Sequence, residues 1–294
     1  MYGQTSLSLP PAGILRRLRQ PRSGCSFTRI GSESWRWTAH ITPCRQPETP
    51  TCGRNTPQGF VFDVKAFRLF TGHHTPPDAL PKDIRETIGP SDKKNFYYRD
   101  LPEKITNEMW RRFVTALEPL KQAEKPGAIL LQFPPWFVFR RASLEHILDC
   151  VRHLAGYRVA VEFRNRTWFE EKHRPDVLAF VREHGLVHVV VDEPQGFSSS
   201  IPAVWEVTSS ELAIVRFHDR NRETWMKKGL ASAAERFNYL YSTAELSELA
   251  KPVREIAARA NQLHALFNNC YLDYGTRNAA ELASLLEQLD RERG

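Results

Sequence analysis

Six short apolar runs, at 59–67, 128–134, 158–164, 187–193, 212–219 and 262–269, constrain this chain more than any other feature. Each has the length of one strand and few polar residues before its end, the pattern of strands buried on both faces. Around them, 103–123, 143–154, 175–184, 243–260 and 277–289 repeat apolar residues at spacings of three and four, which predicts helices with one buried stripe. Strands alternating with helices make a parallel sheet.

Every run turns polar as it ends: Lys65, Gln132, Glu162 with Arg164, Asp192 with Glu193, Arg216 with His218, and Asn268 with Asn269. A barrel that carries its site at the C-terminal ends of its strands requires this switch on many strands. An open doubly wound sheet concentrates it near one crossover. The spread over six strands predicts a TIM-like (β/α) barrel.

Charge separates this region from what precedes it. Residues 1–58 hold eight arginines, no lysine and two glutamates, hence +6 of the chain's +7, and the remaining 236 residues carry +1. The same stretch has seven of the 20 prolines and three of the five cysteines, with no helical or alternating period beyond Ile14, Leu15 and Leu18. Residues 1–57 are therefore expected to be an irregular basic leader, disordered or mistranslated, with the barrel occupying 58–294. A near-neutral body disfavours a broad phosphate-tracking surface. The scattered cysteines match no zinc or disulfide pattern, and no apolar stretch is long enough to span a bilayer. A cytoplasmic protein without metal or cofactor is the expectation, its oligomeric state left open.

Several blocks in order carry a family resemblance: GFVFDVKAFRLFTGH at 59–73, GAILLQFPPWF at 127–137, VAVEFRNRTWF at 159–169, VVVDEPQGF at 189–197, LAIVRFHDRN at 212–221, RFNYLYS at 236–242 and LFNN at 266–269. With these the chain resembles the YecE-like family, domain of unknown function 72, over roughly 57–290. The resemblance implies a TIM-like barrel and assigns no reaction. It also implies two opening strands, a Gly-Thr strand and one ending in a Glu-Val-(Asn/Asp)-Ser-x-Tyr-Tyr-like motif. Neither can be found in 1–58, so the barrel is expected to lack its first two regular strands, and a misplaced reading frame or start is the expected cause. Asp219 stands where the family usually has glycine, which puts in doubt the anion-binding character of that loop.

Residues two apart on a strand share a face. Glu162 and Arg164 thus point into the barrel together, either as a structural ion pair or as a general acid or base tuned by its arginine. Asp192 follows three valines and requires a polar cavity, a donor or a raised pKa. Arg216 and His218 repeat the spacing and bring a cation and an imidazole to one wall. Lys65, Gln132 and Asn268 add hydrogen-bonding capacity, and Trp168 either floors the pocket or packs in the core or rim. His73 and His74 read as loop histidines. The candidate set is therefore Glu162, Asp192 and His218 for catalysis, with Lys65, Gln132, Arg164, Trp168, Arg216 and Asn268 for binding. No GxSxG elbow, HExxH pair or glycine-rich phosphate loop occurs. The mixture of acid, base and anion anchors predicts acid/base chemistry on a small anionic, phosphate- or carboxylate-bearing substrate. The alternatives are a nucleic-acid-binding or endonuclease-like barrel and a non-catalytic ligand-binding barrel.

Overall fold

The computed structural model describes residues 26–28, 38–41 and 59–292, except 198, 199, 228, 231, 232 and 270. Two short strands lie in the leader, β1 (Ser26–Thr28) and β2 (Thr38–Ile41). All six predicted runs form strands: β3 (Val61–Lys65), β4 (Pro126–Gln132), β5 (Val159–Glu162), β6 (Val187–Asp192), β7 (Ala213–Phe217) and β8 (Leu263–Phe267). All but β4, which equals its run in length but starts two residues earlier, are shorter than their apolar runs, because the polar residues that close a run lie at or just past the last ladder bond.

The strands pair in chain order, and every pair from β2 to β8 is parallel. β1 runs antiparallel to β2 and approaches β8, so the ends of the sheet come round towards each other. The curled parallel sheet of an α/β barrel is as expected, built on six regular strands. The expectation of an irregular leader fails at these seven residues, which are too short and too polar to show a strand period. The rest of residues 1–57 lies outside the described residues, and with it the expectation of disorder or mistranslation.

Helices α1 (Lys82–Ile88), α2 (Glu103–Gln122), α3 (Arg141–His153), α4 (Arg174–Glu183), α5 (Ala233–Arg236), α6 (Thr243–Ala257) and α7 (Tyr274–Arg291) fill the connections. On α2 the apolar stripe buries Ile105, Met109, Trp110, Phe113, Leu117 and Leu120. α6 starts at a capping box in which the Ser242 side chain accepts from the Glu245 amide and the Ser242 amide donates to the Glu245 carboxylate. Leu246, Val253 and Leu282 of α6 and α7 pack on Val215, Phe217, Ala265 and Phe267 of β7 and β8. These odd-numbered positions form the outer face of the wall, so Arg216 and Asn268 lie on its inner face.

The foot of the barrel is closed by a buried pair. Asp63 on β3 accepts from the Ala128 amide at 2.8 Å and meets His264 Nδ1 on β8 at 2.8 Å. Both residues are almost wholly buried. The carboxylate fits because residue 127 is glycine: a Cβ there would lie 2.4 Å from Asp63 Oδ1. No helix among the described residues is long and apolar enough to cross a membrane.

Candidate functional site

The polar strand ends converge around one carboxylate. Glu162, at the end of β5, is fully buried. Its Oε2 pairs with the Arg216 guanidinium, while its Oε1 takes bonds from Gln132 Nε2 at 2.7 Å and His218 Nε2 at 2.8 Å, with Arg164 at 3.4 Å. Lys65 Nζ donates to Gln132 Oε1 at 2.6 Å. Asn268 receives the second nitrogen of Arg216 and lies 3.3 Å from His218 Nδ1. One tautomer satisfies His218, with a proton on Nε2 for Glu162 and a lone pair on Nδ1 for Asn268. Lys65, Gln132, Glu162, Arg164, Arg216, His218 and Asn268 thus meet at the mouth, contributed by five strands.

Two expected members do not join them. Asp192 lies on the outer face of β6 with Val190, where Arg220 clamps it at 2.7 and 3.0 Å and Tyr241 Oη donates at 2.8 Å. Trp168 is fully buried, stacks on Phe163 and Phe137, and donates Nε1–H to the Phe137 carbonyl at 2.6 Å. Phe163 is one residue past Glu162 and faces the other way, so a ring stacked on it packs under the helices rather than flooring the mouth.

Two residues belong to the site that strand parity did not assign, and a third, Asp219, lies beside it next to His218. Glu193, next to Asp192, turns inward, meets Arg164 at 2.8 Å and accepts the Ile201 amide at 2.8 Å. The even spacing of Val189, Val191 and Glu193 carried that signal, but a strand apolar on both faces leaves its parity open. Trp225, from the loop after β7, places its ring 5.4 Å from the Arg164 guanidinium and is nearly buried. Asp219 is fully buried and holds φ 122°, a conformation natural to glycine and strained for aspartate.

Electrostatics separates these groups. Burial alone would raise Glu162, but Arg216, His218 and Arg164 outweigh it and hold the carboxylate well below its usual range. Burial and then Arg164 push His218 down to about 3, so its imidazole is neutral. Lys65 is lowered to about 8 by burial and then by Arg216. Burial raises Glu193 and brings Asp219 up to about 7. Arg164 Nε and Arg216 Nε are buried without a hydrogen-bond partner among the described residues. Lys65, Arg164 and Arg216 face Glu162 and Glu193, so positive charge is in excess when both carboxylates are ionised.

Among the described residues no group of three or more His, Cys, Asp or Glu is placed to hold a metal ion. An open surface cavity of about 590 Å³ lies away from the mouth, between Tyr98, Asn107, Asp149 and Arg152 on the outer helical layer. It has no buried cluster of charge comparable to that around Glu162.

A curled parallel sheet with a buried, cation-rich polar cluster at its strand ends defines a TIM-like α/β protein. The family model described as protein of unknown function DUF72 matches residues 50–293. The chain belongs to the DUF72 family. UPF0759 protein YunF of Bacillus subtilis (strain 168) is 30% identical over 249 residues, which cover 84% of this chain and 79% of YunF. A crystal structure of a DUF72 family protein from Enterococcus faecalis V583 superposes with a TM-score of 0.69 at 22% identity, covering 84% of each chain. A second, from Thermotoga maritima MSB8, gives 0.59 at 30% identity, covering 85% of this chain and 83% of the other.

Proposed function

We propose that the mouth binds a small anion bearing phosphate or carboxylate and that the protein is an enzyme acting on it by proton transfer. The observation that carries this reading is the crowding of three cations, Lys65, Arg164 and Arg216, round the two carboxylates of Glu162 and Glu193. An entering anion supplies the missing negative charge and gives the unpartnered guanidinium N–H groups an acceptor.

The roles differ from those assigned from strand ends. Glu162 is saturated with donors and firmly ionised, so it organises the cations rather than accepting a proton. His218 is a neutral imidazole spent on Glu162 and Asn268. Among the cations of the mouth, Lys65, lowered to about 8, is the one able to exchange a proton near neutrality. Protonated, it donates to the leaving oxygen of a bound ester as that bond breaks and a water attacks the acyl or phosphoryl centre; the proton shed by the attacking water returns to the neutral amine.

The locked state of Glu162 and His218 favours a second reading, a mouth that binds without reacting. Calorimetric titration with inorganic phosphate, followed by turnover of a panel of phosphate and carboxylate esters, separates the two. Saturable binding with turnover lost in Lys65→Met supports the enzyme; binding without turnover on any ester supports the second reading. Absence of anion binding overturns both.

A further inference from the structure

The rim of the mouth carries an aromatic surface that the anion site does not use. Trp136 is 50% exposed, and its ring stacks on His74 with centroids 4.4 Å apart and planes 26° from parallel. Tyr97 meets His74 edge-on at 5.4 Å. The stack is held in place, since Trp136 Nε1 donates to the Gly72 carbonyl at 3.3 Å and His73 packs against the same indole at 6.1 Å. Most other large apolar side chains among the described residues are buried, so an indole presented in this way on a fixed support is a surface awaiting a partner.

Its position ties it to the mouth. Trp136 follows Gln132 by four residues, a span of at most about 14 Å of chain. His73 and His74 follow Lys65 on the neighbouring loop. His73 lies between the two regions: after burial, the charges on Lys65, Arg68 and Arg164 are what hold its imidazole down, to about 3. Arg68 is exposed on the same loop and extends the positive potential outward from the mouth.

We infer that the Trp136–His74 stack is a base-binding platform, and that the ligand is a nucleotide whose ring stacks on the indole while its phosphate reaches the cations at Lys65 and Arg164. The inference rests on the anion-binding reading of the mouth and narrows its ligand class. Stacking of a base on an aromatic side chain tolerates any base, so the platform selects a ring without selecting its sequence. The phosphate comes either from a free nucleotide or from the end of a single strand.

The test is calorimetric titration of the full chain with inorganic phosphate, a nucleoside, the matching nucleoside 5′-monophosphate and a single-stranded tetranucleotide. It is repeated with Trp136→Ala, Trp136→Phe and Lys65→Met, each checked for folding by circular dichroism. The monophosphate is expected to bind roughly tenfold or more tighter than phosphate. Trp136→Ala removes that advantage and leaves phosphate binding unchanged, Trp136→Phe keeps much of it, and Lys65→Met weakens both ligands. A tetranucleotide tighter than the monophosphate assigns the strand end as source; equal or weaker binding assigns the free nucleotide. A monophosphate no tighter than phosphate, or an advantage that survives Trp136→Ala, overturns the platform while leaving the anion site standing. Failure of phosphate and monophosphate alike to bind overturns the anion site and the platform with it.

Discussion

Asp192 and Glu193 are adjacent in the chain and face opposite sides of the barrel wall, the first tied to Arg220 and Tyr241 under the helices, the second to Arg164 in the mouth. Their substitutions should therefore separate stability from binding. Asp192→Asn weakens a buried, charge-assisted network and is expected to cost about 1.5–3 kcal/mol in denaturant unfolding, with anion affinity unchanged. Glu193→Gln removes a negative charge beside Arg164 and is expected to tighten phosphate binding, roughly tenfold for about 1.4 kcal/mol of relieved repulsion. Equal effects of the two changes on affinity would refute the assignment of faces.

Lys65 should give stability and binding opposite pH dependences. Its ordinary value of 10.5 falls to about 8 in the folded chain, so between these values the unfolded state holds the extra proton. Stability is then expected to rise with pH across the window from about 8 to 10.5, by at most about 3 kcal/mol. Phosphate affinity should fall across the same window as the ammonium is lost. Urea titrations of the wild type against Lys65→Met isolate this contribution, and parallel pH profiles of the two proteins would count against it.

Glu162 anchors the cations, so Glu162→Gln leaves Arg216 buried without its counter-charge and Arg164 with Glu193 alone. A loss of about 3–5 kcal/mol is expected. The distinctive sign is rescue: millimolar phosphate or sulfate should restore part of the stability, about 2.7 kcal/mol at a hundredfold excess over Kd. The wild type, whose carboxylate already occupies that position, should gain less. Thermal melts with and without anion measure both.

Asp219 combines a glycine-like backbone with a buried carboxyl raised to about 7. Asp219→Gly removes the strain and is expected to stabilise the protein by about 1–3 kcal/mol. The folded state holds the carboxyl proton more tightly than the unfolded state between about 4 and 7, so Asp219 costs stability as pH rises through that range. The gain from glycine should accordingly be larger at pH 8 than at pH 5. A gain independent of pH would assign the whole effect to the backbone.

The sheet was readable because buried parallel strands announce themselves by apolar runs, and the mouth because each run ends in charge. Seven of the nine proposed site residues converge for that reason. Asp192 stays outside the mouth because Val189, Val190 and Val191 are apolar on both faces and nothing in the run says which neighbour looks inward, while Trp168, past the end of β5, takes the core-packing alternative. Parity becomes visible only when Arg220 and Tyr241 arrive from distant segments to claim Asp192. The proton affinities were hidden too, since the lowering of Lys65 depends first on burial inside the closed sheet and then on Arg216 from another strand. Strands β1 and β2, three and four residues long, are too brief for a period to register.

The Asp63–His264 pair joins β3 to β8 through the interior, across the gap that β1 and β2 occupy, and links residues 201 positions apart. It works as a crossbar does in a cask, setting the girth of the ring independently of the staves that complete it. Wide variation in the opening segment of the chain is then compatible with a constant spacing between Lys65 and Asn268, and the mouth can be re-charged for a new ligand while the hoop beneath it keeps its size.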